Sequence, residues 1–140
     1  MQAYLFDDRN VTWQTIDYIG AQIHVLAVDD ARAIADVLIR FQPDTPGRLH
    51  RHVCDFSTFV LQGDLQFWRP DGSLKEVRPT GSYVQVAANG EPHLEGAGDQ
   101  MAIVLFSFRV APCPACVRHG GVPCVIRPGR RAGDGWLTVR

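Results

Sequence analysis

Gly47-Arg48-Leu49-His50-Arg51-His52 is the stretch on which the reading of this chain turns. Side chains alternate across an extended strand with a period of two, so His50 and His52 there point to one face. A third histidine follows in Asn89-Gly90-Glu91-Pro92-His93, and a later strand can bring it to the same face. Three neutral imidazoles hold a divalent metal and leave its other positions open. Two neighbouring groups are set apart from this site. His24, in Gln22-Ile23-His24-Val25, reads as a strand histidine, and Cys54 reads as a small buried hydrophobe.

Working outward, strand signals dominate and long helical periodicity is absent. Tyr18 to Val28 and Ile34 to Phe41 are apolar, β-branched segments. Asp29-Asp30-Ala31-Arg32 between them reads as a hairpin, with one helical turn over Ala31 to Ala35 as the alternative. Gln42-Pro43-Asp44-Thr45-Pro46-Gly47 breaks the strand and turns the chain toward the histidines. Ser57 to Leu61, Leu65 to Trp68, Leu74 to Val77, Ser82 to Val86 and Met101 to Phe108 follow as short strands separated by Gly, Pro and Asp turns. Such spacing predicts a β-sandwich or barrel.

The chain has 140 residues, the size of one domain, with 46% hydrophobic and 21% charged residues. Its formal charge of -1 provides no general attraction for nucleic acid or an anionic membrane surface. Arg127, Arg130, Arg131 and Arg140 make only the last stretch basic, and solvated tail charge is the expectation there. Met1-Gln2-Ala3-Tyr4-Leu5-Phe6-Asp7-Asp8 lacks the basic and apolar regions of a secretory signal, so a cytoplasmic protein is expected.

Gly47 through Phe108 resembles the cupin superfamily. The first half of the likeness is His50-x-His52, a strand and the glycine turn at Gly63; the second starts at Gly81 and reaches His93. Arg51-His52-Val53 and Gly81-Ser82-Tyr83 are similar to the branch containing acetylacetone dioxygenase and dihydroxyacetophenone dioxygenase, which uses three histidines. The resemblance implies an all-β, cupin-type double-stranded β-helix barrel, jelly-roll-like, over residues 1–111, with residues 112–140 as an appendage. It also implies one divalent metal on His50, His52 and His93: Fe(II) first, with Zn, Ni or Co as alternatives. The activity implied is that of a non-haem iron dioxygenase acting on a small dicarbonyl or hydroxyketone. A metal- or ligand-binding sensor without turnover, and a Zn-dependent hydrolase or isomerase, are the other readings.

The family's usual glutamate ligand falls four or five residues after the second histidine, and here Phe56 and Ser57 stand there. Neither is a useful ligand for a divalent cation. Asp55 is one residue early and would turn to the other face unless the strand is bulged. The expectation is a site of three neutral nitrogens, a full +2 charge, and a preference for an anionic bidentate ligand such as an enolate.

Strand parity, with a bulge allowed, places Ser57, Phe59 and Leu61 inward beside the histidines, and Tyr83 and Gln85 on one face of the later strand. Phe67 and Trp68 are expected as core or wall. Gln85 and Tyr83 are the candidates to hydrogen-bond a substrate carbonyl, and Glu91 is either a supporting base near His93 or a solvated loop carboxylate. A second cluster, Cys113-x-x-Cys116-x-x-His119-x-x-x-x-Cys124, has donors for a small metal or redox site or else holds reduced structural cysteines. Exposed barrel edges lead to the expectation of a homodimer.

Overall fold

The computed structural model describes residues 5–17, 19–109, 127–128 and 137–139. The described residues form strands and turns throughout, and no helix among them is long and apolar enough to cross a membrane. Among the described residues, twelve strands run in chain order: β1 (Gln14–Ile16), β2 (Ala21–Asp29), β3 (Ile34–Phe41), β4 (His50–His52), β5 (Asp55–Gln62), β6 (Leu65–Trp68), β7 (Leu74–Arg78), β8 (Tyr83–Val86), β9 (Leu94–Ala97), β10 (Ala102–Arg109), β11 (Arg127–Pro128) and β12 (Leu137–Val139). A six-stranded sheet has the order β1-β2-β3-β10-β5-β8, and a three-stranded sheet has the order β7-β6-β9. β11, β12 and β4 form a third, with β12 running parallel to β4.

The hairpin expected at Asp29 to Arg32 joins β2 and β3, which pair antiparallel along their length. Ala33 closes it in the left-handed region (φ 53). Leu65 to Trp68 and Ile34 to Phe41 coincide with β6 and β3. β9 has no counterpart among the strands expected from sequence: Leu-Glu-Gly-Ala is too short and glycine-rich to show an alternating pattern.

Both large sheets direct alternate side chains into one core. Val37, Ile39, Phe41, Phe56, Val60, Val104, Phe106 and Phe108 from the six-stranded sheet meet Leu65, Phe67 and Ala97 from the smaller one. Burial alternates without a break from His50 to Val60, with every even-numbered residue buried. The chain therefore passes from β4 into β5 with its parity intact, and the bulge allowed for in the sequence reading is absent there. Gly63 makes the turn from β5 to β6 at φ +69, and a Cβ on it would lie 2.4 Å from the Met101 carbonyl oxygen, so only glycine fits.

This unbroken parity corrects the inward placement of Ser57 and Phe59, while Tyr83 and Gln85 share one face of β8 as expected. Thr58 and Val60 face inward, while Ser57 and Phe59 lie on the outer face of β5, and Phe59 is 37% exposed. Tyr83, 59% exposed, and Gln85 pair with Phe59 and Ser57 across β5 and β8 and share that outer face. The physical reason is the strict period of two: without an inserted residue, Ser57 cannot share a face with His52.

Candidate metal centre

Two short segments hold the histidines together. His50 and His93 sit directly opposite each other, each N–H donating to the other's carbonyl at 2.9 Å. Directly opposed antiparallel residues point to the same face, and the period of two carries His52 and Glu95 to that face as well. Further backbone bonds pin the pair at both ends: Asn89 N–H to the His52 carbonyl and Gly47 N–H to the Glu95 carbonyl, each 2.8 Å.

The result is a buried cluster of His50, His52, His93 and Glu95, one donor atom from each lying within 4.8 Å of the others. His50 Nε2 lies 3.2 Å from one Glu95 oxygen; His52 Nε2 and His93 Nε2 lie 3.8 and 3.6 Å from the other. Glu95 corrects the expectation of a purely neutral ligand set. The carboxylate is present, but on the second motif rather than the first. Its signal was His93-x-Glu95, which repeats the spacing of His50-x-His52. The place where many cupins carry the carboxylate holds Phe56, whose ring packs on His52 with centroids 4.1 Å apart. Asp55 faces outward and accepts the Ala88 N–H at 2.7 Å.

The donor chemistry fits a divalent cation. His50 Nδ1 donates to the Arg48 carbonyl at 2.7 Å and His93 Nδ1 to the Glu91 carbonyl at 3.2 Å. A carbonyl only accepts, so both rings carry a proton on Nδ1 and present Nε2 to the cluster, the atom that becomes a donor to a cation when it is unprotonated. Glu95 Oε2, His93 Nε2 and His52 Nδ1 are buried without a hydrogen-bond partner among the described residues. A buried carboxylate oxygen and a ring nitrogen left in this state are costly unless a cation satisfies them.

Electrostatics point the same way. Burial pulls His50 down, but the Glu95 charge and its contact outweigh it, and the net shift is upward from 6.5. For His52 burial prevails and the shift is downward. Burial would raise Glu95, yet His50 and the other imidazoles hold it well below the ordinary carboxylate value. Glu95 is thus an anion at neutral pH. Cys54, buried beneath the strand, is pushed up to about 11 by desolvation and stays a thiol.

Beside the cluster lies a pocket of about 80 Å³ in whose wall His52 and His93 appear. Phe56, Phe67, Val86 and Ala87 supply its apolar surface, and two ion pairs its polar one. Arg78 is buried, donates to both Glu76 oxygens (2.8 and 3.1 Å) and to Thr58 Oγ1 (2.8 Å), and lies 4.4 Å above the Phe67 ring. Lys75 pairs with Glu91 at 3.4 Å. The Glu91 side chain is therefore solvated at the pocket rim, while its backbone carbonyl orients His93. Cys113, Cys116, His119 and Cys124 lie outside the described residues.

The family model described as the ChrR cupin-like domain matches residues 1–110. The chain belongs to this cupin family. No curated protein matches it. Among solved structures, this cupin is similar to the polyketide cyclase RemF from Streptomyces resistomycificus, with 20% identity, TM-score 0.59, and coverage of 76% of this chain and 79% of that one. It is also similar to an RmlC-like cupin from Shewanella frigidimarina (20% identity, TM-score 0.57, 79% and 93% covered) and to KdgF from Halomonas sp. (15%, 0.56, 79% and 96%). At these identities the likeness is one of fold, a cupin β-barrel.

Proposed function

We propose that this cupin is a non-haem metal enzyme of the dioxygenase type, with a divalent metal, Fe(II) by preference, held by His50, His52, His93 and Glu95. Its substrate in this reading is a small dicarbonyl or hydroxyketone. The observation that carries it is the convergence of one carboxylate and three histidines in a buried cluster, two of whose histidines, His52 and His93, line a small pocket. One anion against a dication leaves a net +1, and the two ion pairs of the pocket cancel each other. A singly charged chelating ligand such as an enolate suits that balance.

When bound, Fe(II) would supply the redox chemistry toward dioxygen and polarise a substrate carbonyl. The protein's own residues do the rest. Glu95 and the Nδ1-anchored His50 and His93 fix the donor atoms. Arg78 holds Glu76 below the ordinary carboxylate range, leaving it ionised as an acceptor for a substrate hydroxyl. Phe56, Phe67 and Val86 keep water from the remaining space.

The fourth protein donor also favours a second reading, a metal-binding cupin without turnover, since four protein donors would suffice to close a Zn site. Loading the metal-free protein with Fe(II) or Zn and following oxygen uptake across a panel of β-dicarbonyls and hydroxyketones separates the two. Oxygen uptake with Fe(II) that is lost in His93→Ala supports the dioxygenase. Tight Zn binding with no uptake from any substrate sinks it in favour of the closed site.

A further inference from the structure

The residues that parity turns away from the metal are not scattered. They sit in register across the outer face of β3, β10, β5 and β8. One row across the sheet is Asp36, Ser107, Ser57 and Gln85, and the next pairs Arg109 with Asp55. A cleft of about 370 Å³ opens over these rows and against Tyr83. This is several times the space beside the metal cluster and within the usual range for small-ligand sites.

The polar groups of the cleft are tied by short local hydrogen bonds that each leave part of their capacity unused. Arg109 and Asp55 are direct cross-strand partners, where opposite charges ordinarily pair. Instead, Arg109 Nη1 donates to Ser107 Oγ at 2.8 Å, and Asp55 accepts the Ala88 N–H at 2.7 Å. Ser107 in turn donates to Asp36, so the guanidinium is steered by a fixed relay. Gln85 Nε2 donates to Tyr83 Oη at 3.2 Å, and its carbonyl oxygen accepts no hydrogen bond among the described residues. The other Arg109 N–H groups and the second Asp55 oxygen have no hydrogen-bond partner among the described residues.

Charge and shape narrow the ligand. Among the residues lining the cleft one carboxylate, Asp55, balances one guanidinium, Arg109, so there is no net charge to favour an anion. Donors and acceptors alternate over a short distance, an arrangement suited to hydroxyl groups, each of which donates once and accepts. Tyr83, 59% exposed, adds a ring face to the cleft beside the polar rows. We infer that the cleft binds a neutral saccharide or polyol, with its hydroxyls on Arg109, Asp55, Ser57 and Gln85 and its carbon face against Tyr83. The site is separate from the metal cluster, with Phe56, Val86 and Ala87 forming the partition between the two pockets.

The test is an NMR titration of the full chain with D-glucose, D-galactose, D-mannose and N-acetyl-D-glucosamine, each carried to high millimolar concentration. At least one sugar is expected to shift the Tyr83 and Gln85 signals saturably. Arg109→Gln and Tyr83→Ala, at unchanged melting temperature, are each expected to weaken it about tenfold, the worth of one charged hydrogen bond or one ring contact. The double variant His50→Ala/His93→Ala, if folded, retains the sugar response, so loss of the metal reading leaves this one standing. Absence of saturation with all four sugars overturns the inference. So does tighter binding of gluconate or alanine, which would mark an anion or zwitterion site.

Discussion

Glu95→Gln is the most informative single change in this protein, because it removes a charge while keeping the side chain's shape. In the metal-free cluster the carboxylate lies 3.2 Å from His50 Nε2. A unit charge pair at that separation gains about 5 kcal/mol at an effective dielectric of 20. Part of this offsets the desolvation of a fully buried carboxylate, and removing one partner of a buried pair typically costs 3–5 kcal/mol. A dication gains at least as much from the carboxylate as an imidazolium does. The glutamine variant is therefore expected to lose about 3 kcal/mol of metal affinity, on the order of 100-fold. The assay is competition of Zn or Co(II) between the protein and a chromophoric chelator, with metal stoichiometry measured in parallel. In the metal-free variant the His50 titration midpoint should also fall, since the Glu95 charge is what raises it against burial. The reasoning is refuted if Glu95→Gln binds metal as tightly as the parent while His50→Ala and His93→Ala do not. Three neutral imidazoles would then be the whole ligand set.

Protons compete with the metal at His50, whose folded pKa lies above 6.5, so affinity should begin to fall at a higher pH than for an ordinary imidazole; chelator competition from pH 5 to 8 measures it. In the metal-free protein, Glu95 has a folded pKa depressed below 4.5, so its contribution to stability is present above 4.5 and lost as pH falls through the folded value. Acid unfolding of Glu95→Gln should correspondingly be shallower below pH 4.5. Thr58→Val leaves a buried Arg78 N–H without its acceptor and is expected to lower stability by about 1–3 kcal/mol by urea unfolding; an unchanged midpoint would show that water replaces the hydroxyl. Phe56→Ala empties the space stacked on His52 and should cost about 3–5 kcal/mol, with metal affinity falling too if the ring positions His52.

Much of this protein is legible from its residues in order. The apolar runs and Gly and Pro breaks place most strands to within a residue or two, as at Ile34 to Phe41 and Leu65 to Trp68, because local patterning and turn chemistry are properties of contiguous chain. The H-x-H spacing likewise commits His50 and His52 to one face wherever the segment is extended. Three things waited on the tertiary structure. The pairing of His50 with His93 is a long-range contact that no local pattern encodes. It recruits Glu95, whose spacing from His93 repeats that of the histidine pair but counts only once the segment is seen to be extended and paired with β4. And the side of the sheet on which Ser57, Phe59, Tyr83 and Gln85 lie depends on whether one residue is inserted between His52 and Ser57. A strand reverses every side chain for a single-residue slip, so sequence alone left two opposite faces open, and the packed core on Phe56, Thr58 and Val60 chose between them.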